Sequence, residues 1–278
     1  MLHEETALRI VSDWNFPKPE VIAAGDLNKW RFLVSTRLKG VELGEWRELG
    51  LWGELSLPEQ LAITQQLGEV VAQLHRYSAD RNVSLFGLWH ERSRRLEKDV
   101  EKRYEDCGFS SSLVGSIQQF LQTVPMPRSE DVLLHCDLRP GNLIVQRGTE
   151  GWRLQGLFDF EDCQAGPREW DILSPALNRA QGQNGFFRAF LKGYGDFQQS
   201  DYESLQIRLM AAFIRRESQP ERYYADFPEI MTACGSLKAF MMKHFAVNGL
   251  GIGRLVSVCN IVLYTRLKGA KSMYRLKV

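Results

Sequence analysis

One stretch constrains this chain more than any other. It is Leu-Leu-His-Cys-Asp-Leu-Arg-Pro-Gly-Asn-Leu-Ile-Val-Gln, residues 133–146, followed by Leu-Phe-Asp-Phe-Glu-Asp, residues 157–162. Val132, Leu133 and Leu134 form an apolar run that reads as a short buried strand. Arg139, Pro140 and Gly141 break it into a loop. Leu143, Ile144 and Val145 resume as a second strand, and residues 147–151 read as a hairpin connection. Residues 153–158 alternate imperfectly and end at Asp159, as a strand that pairs back. The spacing therefore predicts Asp137 and Asn142 on a loop between two strands, with Asp159 at the end of the returning strand. Three polar groups then meet from adjacent turns on a rigid framework.

Such a grouping suits one chemistry. Phosphoryl transfer from a nucleotide requires an acid that orients a hydroxyl nucleophile. It also requires an amide oxygen and a carboxylate that hold Mg²⁺ against the phosphates. Protein kinases place these groups on H-R-D-x-x-x-x-N and D-F-G. Here the same spacing reads H-C-D-L-R-P-G-N and then D-F-E. A lone loop Asp is usually solvated, and a lone H-x-D is common. The weight lies in the composite of one order, two spacings, flanking strands and a further acid, Asp171, downstream.

The motifs resemble those of the aminoglycoside phosphotransferase and choline kinase group of small-molecule kinases. Members of that group read H-G-D-L-H-P-G-N-[IVL]-L, then I-D-F-[ED]-D, then a short loop ending in D-L-A. This chain has HCDLRPGNLIV, LFDFED and GPREWDIL. It departs at Cys136, where Gly is usual, at Arg139, where His is usual, and at Phe158 before the second Asp. None of these changes removes a ligand or the base. The resemblance spans roughly residues 4–260. It implies an α+β, bilobal protein kinase-like fold: a truncated N-terminal small lobe over residues 1–40, and a mostly helical large lobe over 41–278. It also implies ATP- or GTP-dependent transfer of the γ-phosphate to a hydroxyl of a small molecule (an aminoglycoside, a sugar or an amino alcohol), with Mg²⁺. On the same basis Asp137 is the catalytic base, and Asn142 and Asp159 hold Mg²⁺ and the nucleotide. Glu161, standing where D-F-G has Gly, helps to hold a second metal. Asp171 braces the catalytic loop, and His135 orients its backbone.

The first fifty residues fit less simply. Glu4 to Trp14 reads as a short helix with Ala7, Leu8, Ile10 and Val11 available for burial, ended by Pro17 and Pro19. Residues 20–24 and 30–37 read as strands joined by Gly25-Asp26-Leu27-Asn28-Lys29. By resemblance this order is the regulatory helix, two small-lobe strands and the hinge. Ser35, Thr36 and Arg37 then lie along the adenine edge, and Glu4 or Glu5 takes the place of the helix's ion-pairing Glu. The phosphate-covering loop and strand Lys that kinase-like folds place before the helix are not seen, because Lys18 and Lys29 come too late. The expectation is a shortened small lobe with an open edge that invites self-association, and weak ATP binding. Gly249, Gly251 and Gly253 form a bare Gly-rich run, a weak signal, read as a helix junction.

The remainder reads as helical. Ser56 and Pro58 open a helix whose apolar face runs Leu61, Leu67, Val70, Val71 and Leu74 to His75, read as a packing or capping group. Residues 81–125 form an insertion with Trp89, His90 and one charge-rich helix at 91–104. Residues 184–197, 201–217 and 227–246 read as further helices. The net charge of +1 excludes a bulk nucleic-acid role. Five cysteines without a C-x-x-C pair point to a reducing cytoplasm and away from zinc. Residues 1–20 lack a signal peptide's pattern, and the apolar run 255–264 is too short to span a bilayer. The basic residues after it read as a solvated helix end.

Substrate identity stays open. Asp196, Asp201, Glu203, Glu217, Glu221, Asp226 and Glu229 suit a cationic amino sugar or plain solvated faces. Trp170, Tyr223 and Tyr224 suit a quaternary ammonium cage or ordinary packing. Two other classes also stay open: a non-catalytic kinase-like binding module, and a metal-dependent phosphohydrolase using the same acids.

Overall fold

The computed structural model describes residues 2–44, 50–79, 89–124, 131–178, 184–195, 197 and 202–216. Several sequence readings lie outside the described residues. They are the helix at 227–246, the Gly249–Gly253 run, the stretch 255–264 with its basic end, Asp196, Asp201, Glu217, Glu221, Tyr223, Tyr224, Asp226 and Glu229. The side chains of Trp89, His90 and Glu203 lie outside as well.

The N-terminal part holds helix α1 (Leu2–Ile10) and an antiparallel hairpin, β1 (Val21–Leu27) and β2 (Trp30–Ser35). Ala7, Leu8, Val11 and Trp14 bury the inner face of α1 and the chain that follows it. The residues read as a five-residue loop are mostly strand. Asp26 pairs with Arg31 across the hairpin at 3.0 Å, and Leu27 faces Trp30. Only Asn28 and Lys29 are left to turn, and Asn28 takes φ 57°, the left-handed conformation an Asn tolerates. Gly25 allows the strand to run on, because the Phe32 ring lies 3.2 Å from where a Cβ would stand.

Strand β3 (Val41–Glu42) then joins β5 (Leu143–Gly148) and β6 (Gly151–Leu157) in an antiparallel sheet ordered β3-β5-β6. Two close approaches lock this connection. Leu38 lies over Gly156, where a Cβ would meet it at 2.6 Å, and a Cβ on Gly40 (φ 126°) would stand 2.7 Å from Val145 O. Strand β4 (Val132–Leu134) does not pair with β5. It pairs with β7 (Gln164–Gly166), a strand the sequence does not announce.

Helices α2 (Leu51–Glu54) and α3 (Leu57–Ala79) follow β3. Ser56 donates both its backbone N–H and its hydroxyl to Glu59 Oε2, at 2.9 and 2.6 Å, so the start of α3 is held by the acid three residues on. The charge-rich helix at 91–104 is two helices, α4 (Trp89–Lys98) and α5 (Val100–Asp106), interrupted at Asp99. Backbone bonds run through this position, from Asp99 N–H to Arg95 O at 3.2 Å and from Arg103 N–H to Asp99 O at 2.9 Å, and the Asp99 side chain makes no cap. The insertion also contains α6 (Ser111–Thr123), capped by Ser110, whose Oγ accepts the Leu113 N–H.

Helices α7 (Glu169–Asn178), α8 (Asn184–Tyr194) and α9 (Tyr202–Arg216) complete the described core. The closest helix packing is that of α3 on α8. A Cβ on Gly68 would stand 2.1 Å from Phe190 O, and one on Gly193 would stand 1.9 Å from Gln65 O. Arg215, almost fully buried, ties α9 to Glu97 of α4 and to the carbonyls of Leu121 and Val124. Arg208 Nε bonds Glu169 Oε1 at 2.8 Å and links α9 to α7. Among the described residues no helix is long and apolar enough to cross a membrane.

Candidate active site

The site forms where β4 ends, where a 3₁₀ turn (Pro140–Asn142) leads into β5, and where β6 delivers Asp159. Buried hydrogen bonds fix the loop from behind. Asp171 lies in the first turn of α7, fully buried, rather than in a loop. Its Oδ2 accepts the His135 N–H and its Oδ1 accepts the Cys136 N–H, both at 2.8 Å. His75 Nε2 lies 3.1 Å from Asp171 Oδ2, and His75 Nδ1 lies 2.8 Å from the Tyr194 hydroxyl. Burial pushes the Asp171 carboxyl up. Its hydrogen bond and electrostatic interaction with His75, with help from His135, outweigh this and hold it below the ordinary 3.8. A third support comes from Ser78 of α3, whose hydroxyl accepts the Leu133 N–H at 2.9 Å.

Cys136 takes φ 68°. That conformation is natural for Gly and costs other residues about 1 kcal/mol or more. It explains why Gly is usual at this position. Here the side chain is buried beside Val132, Leu134 and Trp170, and the two N–H bonds to Asp171 hold the backbone in place. Cys163 is also fully buried, and burial pushes its thiol well above the ordinary range, so it is no nucleophile.

His135 joins the two halves of the site. Its Nε2 lies 3.0 Å from Phe158 O, and its Nδ1 lies 3.3 Å from the Asp137 N–H. With Nε2 carrying the proton, the ring donates to the strand that ends at Asp159 and accepts from the loop that carries Asp137. Burial pushes its pKa below the ordinary 6.5, which keeps the ring neutral.

In front of this scaffold, Asn142 Nδ2 donates to Asp137 O at 2.9 Å and to Asp137 Oδ2 at 2.8 Å. Asn142 Oδ1 is left to accept, and Asp137 Oδ1 is left outside this contact. Asp159 stands on left-handed backbone, φ 63°, with its carboxylate 39% exposed. Arg139 Nε lies 2.9 Å from Asp137 Oδ2, and its Nη2 lies 4.0 Å from Asp159 Oδ2. The nearer contact is an ion pair in which Nε–H is not aligned as a hydrogen bond. Glu161 is exposed, and Glu4 of α1 lies in the same negative field. Partial burial first, then Asp159 and Glu161, raise the Glu4 pKa. Glu5 does something else, pairing with Arg31 at 2.7 Å and with Arg9 at 3.0 Å.

Among the described residues no three of His, Cys, Asp and Glu converge on one metal position. The donor set fits Mg²⁺ all the same, since that ion is commonly held by one or two protein oxygens plus phosphate oxygens and water. One carboxylate, Asp159, and one amide oxygen, Asn142 Oδ1, are of that kind.

A sequence profile described as the phosphotransferase enzyme family, APH, matches residues 1–207. The chain belongs to this family. The fold of this phosphotransferase agrees with that of solved relatives. The GDP and kanamycin complex of APH(2")-IIIa is similar at TM-score 0.61, with 16% identity over 88% of this chain and 82% of that one. Spectinomycin phosphotransferase APH(9)-Ia, with ADP and spectinomycin, gives TM-score 0.54 and 14% identity over 94% and 82%. ADP-bound APH(2'')-Ib gives TM-score 0.53 and 18% identity over 95% and 81%. The chain thus has the bilobal protein kinase-like fold of these enzymes. No curated protein sequence matches it.

Of the residues singled out from the sequence, the phosphotransferase structure brings Asp137, Asn142, Asp159, His135 and Asp171 together, with Glu4 and Glu161 at the margin. Ser35 ends β2, where it pairs with Val21, and Thr36 and Arg37 lie on the connection out of that strand. There Thr36 is engaged with Glu20, through its N–H to Glu20 O and through its Oγ1 from the Glu20 N–H, both at 2.9 Å. Lys18 is buried and donates to Trp14 O at 2.9 Å. Sequence reading missed His75, Tyr194 and Ser78 as supports of the loop. For His75 a signal existed: an ionisable residue that closes the apolar stripe of a buried helix needs a polar partner there.

Proposed function

We propose that this phosphotransferase moves the γ-phosphoryl group of ATP or GTP to a hydroxyl of a small molecule, in the class of aminoglycosides, sugars and amino alcohols. The observation that carries the reading is the division of labour on Asp137. Asn142 and Arg139 engage Oδ2, and Oδ1 is left to take a proton, while the His135 bridge holds Asp159 alongside. In this reading Asp137 Oδ1 accepts the proton of the acceptor hydroxyl as its oxygen bonds to phosphorus. The bond from phosphorus to the leaving oxygen breaks, and its electron pair departs with the nucleoside diphosphate. Asn142 Oδ1 and Asp159 hold Mg²⁺, Glu161 assists with a second ion, and the metal supplies countercharge to the phosphates. Ser35, Thr36 and Arg37 border the base of the nucleotide; with the Thr36 N–H engaged on Glu20, backbone groups of its neighbours make that contact. Residues 1–40 act as the small lobe and 41–278 as the large one, in the cytoplasm.

Calorimetry with Mg-ATP tests this. The unaltered chain binds the nucleotide in a Mg²⁺-dependent way, and Asp159→Ala abolishes that dependence, with Asn142→Ala weakening it less. Equal binding with and without Mg²⁺, or binding unchanged in Asp159→Ala, sinks the reading.

A further inference from the structure

Tyr194 is the last residue of α8 and is almost fully buried. A tyrosine sunk in a core needs a partner for its hydroxyl. Here the ring packs on Phe190 and Phe197, with centroids 6.1 and 5.4 Å away, and the hydroxyl lies 2.8 Å from His75 Nδ1. The close approach of α8 to α3 at Gly68 and Gly193 brings it there. His75 turns its other nitrogen, Nε2, to Asp171 Oδ2 at 3.1 Å. Tyr194, His75 and Asp171 thus form a buried row that runs from α8 through α3 to α7. The far end of the row is the carboxylate that accepts the His135 and Cys136 N–H groups. Asp137 is the next residue of the chain.

We propose that Tyr194 is a positioning residue for phosphotransfer: its hydroxyl keeps the His75 proton on Nε2, and so keeps the Asp171 carboxylate on the backbone that presents Asp137. An ionised carboxylate accepts hydrogen bonds and donates none. A bond between it and His75 therefore requires a proton on Nε2. In a neutral imidazole, the nitrogen that carries the proton is set by the bond the other nitrogen makes. A hydroxyl that donates to Nδ1 engages the lone pair there and leaves the proton on Nε2. The opposite tautomer would turn a bare lone pair toward Asp171 Oδ2 at 3.1 Å. Buried as the row is, water does not relieve that repulsion. Asp171 would then turn away or take up a proton, and either change weakens the acceptor of the two loop N–H groups. The consequence is sharper in this chain because Cys136 stands at φ 68°, a strained conformation for any residue but Gly. With a weaker acceptor behind it, Cys136 relaxes and carries Asp137 out of place. The role in phosphotransfer rests on the reading of Asp137 given above; the row of hydrogen bonds does not.

The test is Tyr194→Phe, which keeps the ring and its packing and removes only the hydroxyl. Heteronuclear NMR of labelled histidine rings reads the tautomer of His75, and amide exchange reads the His135 and Cys136 N–H groups. Thermal melting is followed beside them, with release of ADP from Mg-ATP, water serving as the acceptor. In the unaltered chain the His75 proton is expected on Nε2. In the Phe variant it is expected to be shared between Nε2 and Nδ1. The His135 and Cys136 amides should then exchange about tenfold faster or more, as a local opening does, while the amides of α8 keep their rates. ADP release should fall by about 10–100-fold, the range for removing an outer hydrogen-bond partner of a working site, with the KM for ATP unchanged. A His75 proton on Nδ1 in the unaltered chain overturns the assignment. So does a Phe variant whose ring and loop amides match the parent, which leaves Tyr194 as packing alone. Faster exchange throughout the molecule with a lowered melting temperature also overturns it, as a general loss of stability. If Mg-ATP does not bind, the phosphotransfer reading falls, and the ring and amide results, taken without nucleotide, still decide whether Tyr194 holds the loop.

Discussion

At the scale of single residues, the site depends on neighbours that are not themselves reactive. Asp137→Asn preserves shape and the contact with Asn142 but removes the proposed proton acceptor. Turnover is expected to fall by about 10²–10⁴, the range for one acid–base group, with Mg-ATP affinity unchanged; steady-state kinetics beside calorimetry check both halves. The second residue-scale expectation concerns His135. Its folded pKa lies below the ordinary 6.5 because burial disfavours the charged ring. The unfolded chain therefore binds a proton that the folded one refuses as pH falls below about 6.5. Stability is fully present above that value and is lost on acidification, by up to about 1.4 kcal/mol per pH unit for one proton. Asp171, held below 3.8, acts with the same sign at still lower pH. Urea midpoints between pH 7.5 and 5.5 should fall less steeply in His135→Gln than in the unaltered chain. Equal slopes would exclude the buried neutral ring as the source. Much of this was legible in the sequence, because Asp137, Asn142 and Asp159 lie within 23 residues and local strands position them. The His75–Asp171 contact spans 96 residues of chain, and nothing local encodes it.

At the scale of elements, helix α3 holds the loop that bears Asp137 from behind through His75 and Ser78, and α8 packs on α3. Their packing depends on two glycines that bring the backbones together. Gly193→Ala places a methyl 1.9 Å from Gln65 O and 2.8 Å from Gln65 C, so no side-chain adjustment relieves it. Helix propensity gains about 1 kcal/mol from Gly to Ala, but forced separation of packed helices opposes it. A net loss of about 1–3 kcal/mol is expected, with a lower melting temperature. Because Tyr194 follows Gly193 and bonds His75, turnover should fall as well. An Ala variant as stable as the parent would mean that the helices do not meet this closely. The elements show where sequence reading works and where it does not. Strand β4 and helices α3, α8 and α9 follow from apolar runs and periodicity. Strand β7 did not follow, because three residues ending in Gly carry no period. The start of α7 was hidden by the same short span, so Asp171 read as part of a loop.

At the scale of the whole molecule, the N-terminal hairpin stands out by its surface. In the register Ala23–Val34, Gly25–Phe32 and Leu27–Trp30, these residues share one face. Leu27 is 67% exposed, Trp30 79%, Val34 45% and Phe32 38%. The other face is engaged, since Leu33 packs on the core and Arg31 pairs with Glu5. Among the described residues this sheet has two strands, so each presents an unpaired edge beside an apolar face. Two-stranded sheets are marginal by themselves, and an open edge with exposed apolar side chains templates pairing with another chain. Burying that face stabilises an assembly by about 25 cal/mol for each Å² of apolar surface removed from water. The expectation is concentration-dependent self-association through this hairpin. Sedimentation velocity over a range of concentrations should show it for the unaltered chain, and should show a monomer for Leu27→Ser combined with Trp30→Ser. Both replaced side chains are mostly in water already, so the double variant should keep its fold, which far-ultraviolet circular dichroism checks. A parent chain that stays monomeric at every concentration, or a double variant that associates as strongly as the parent, removes the hairpin as an interface.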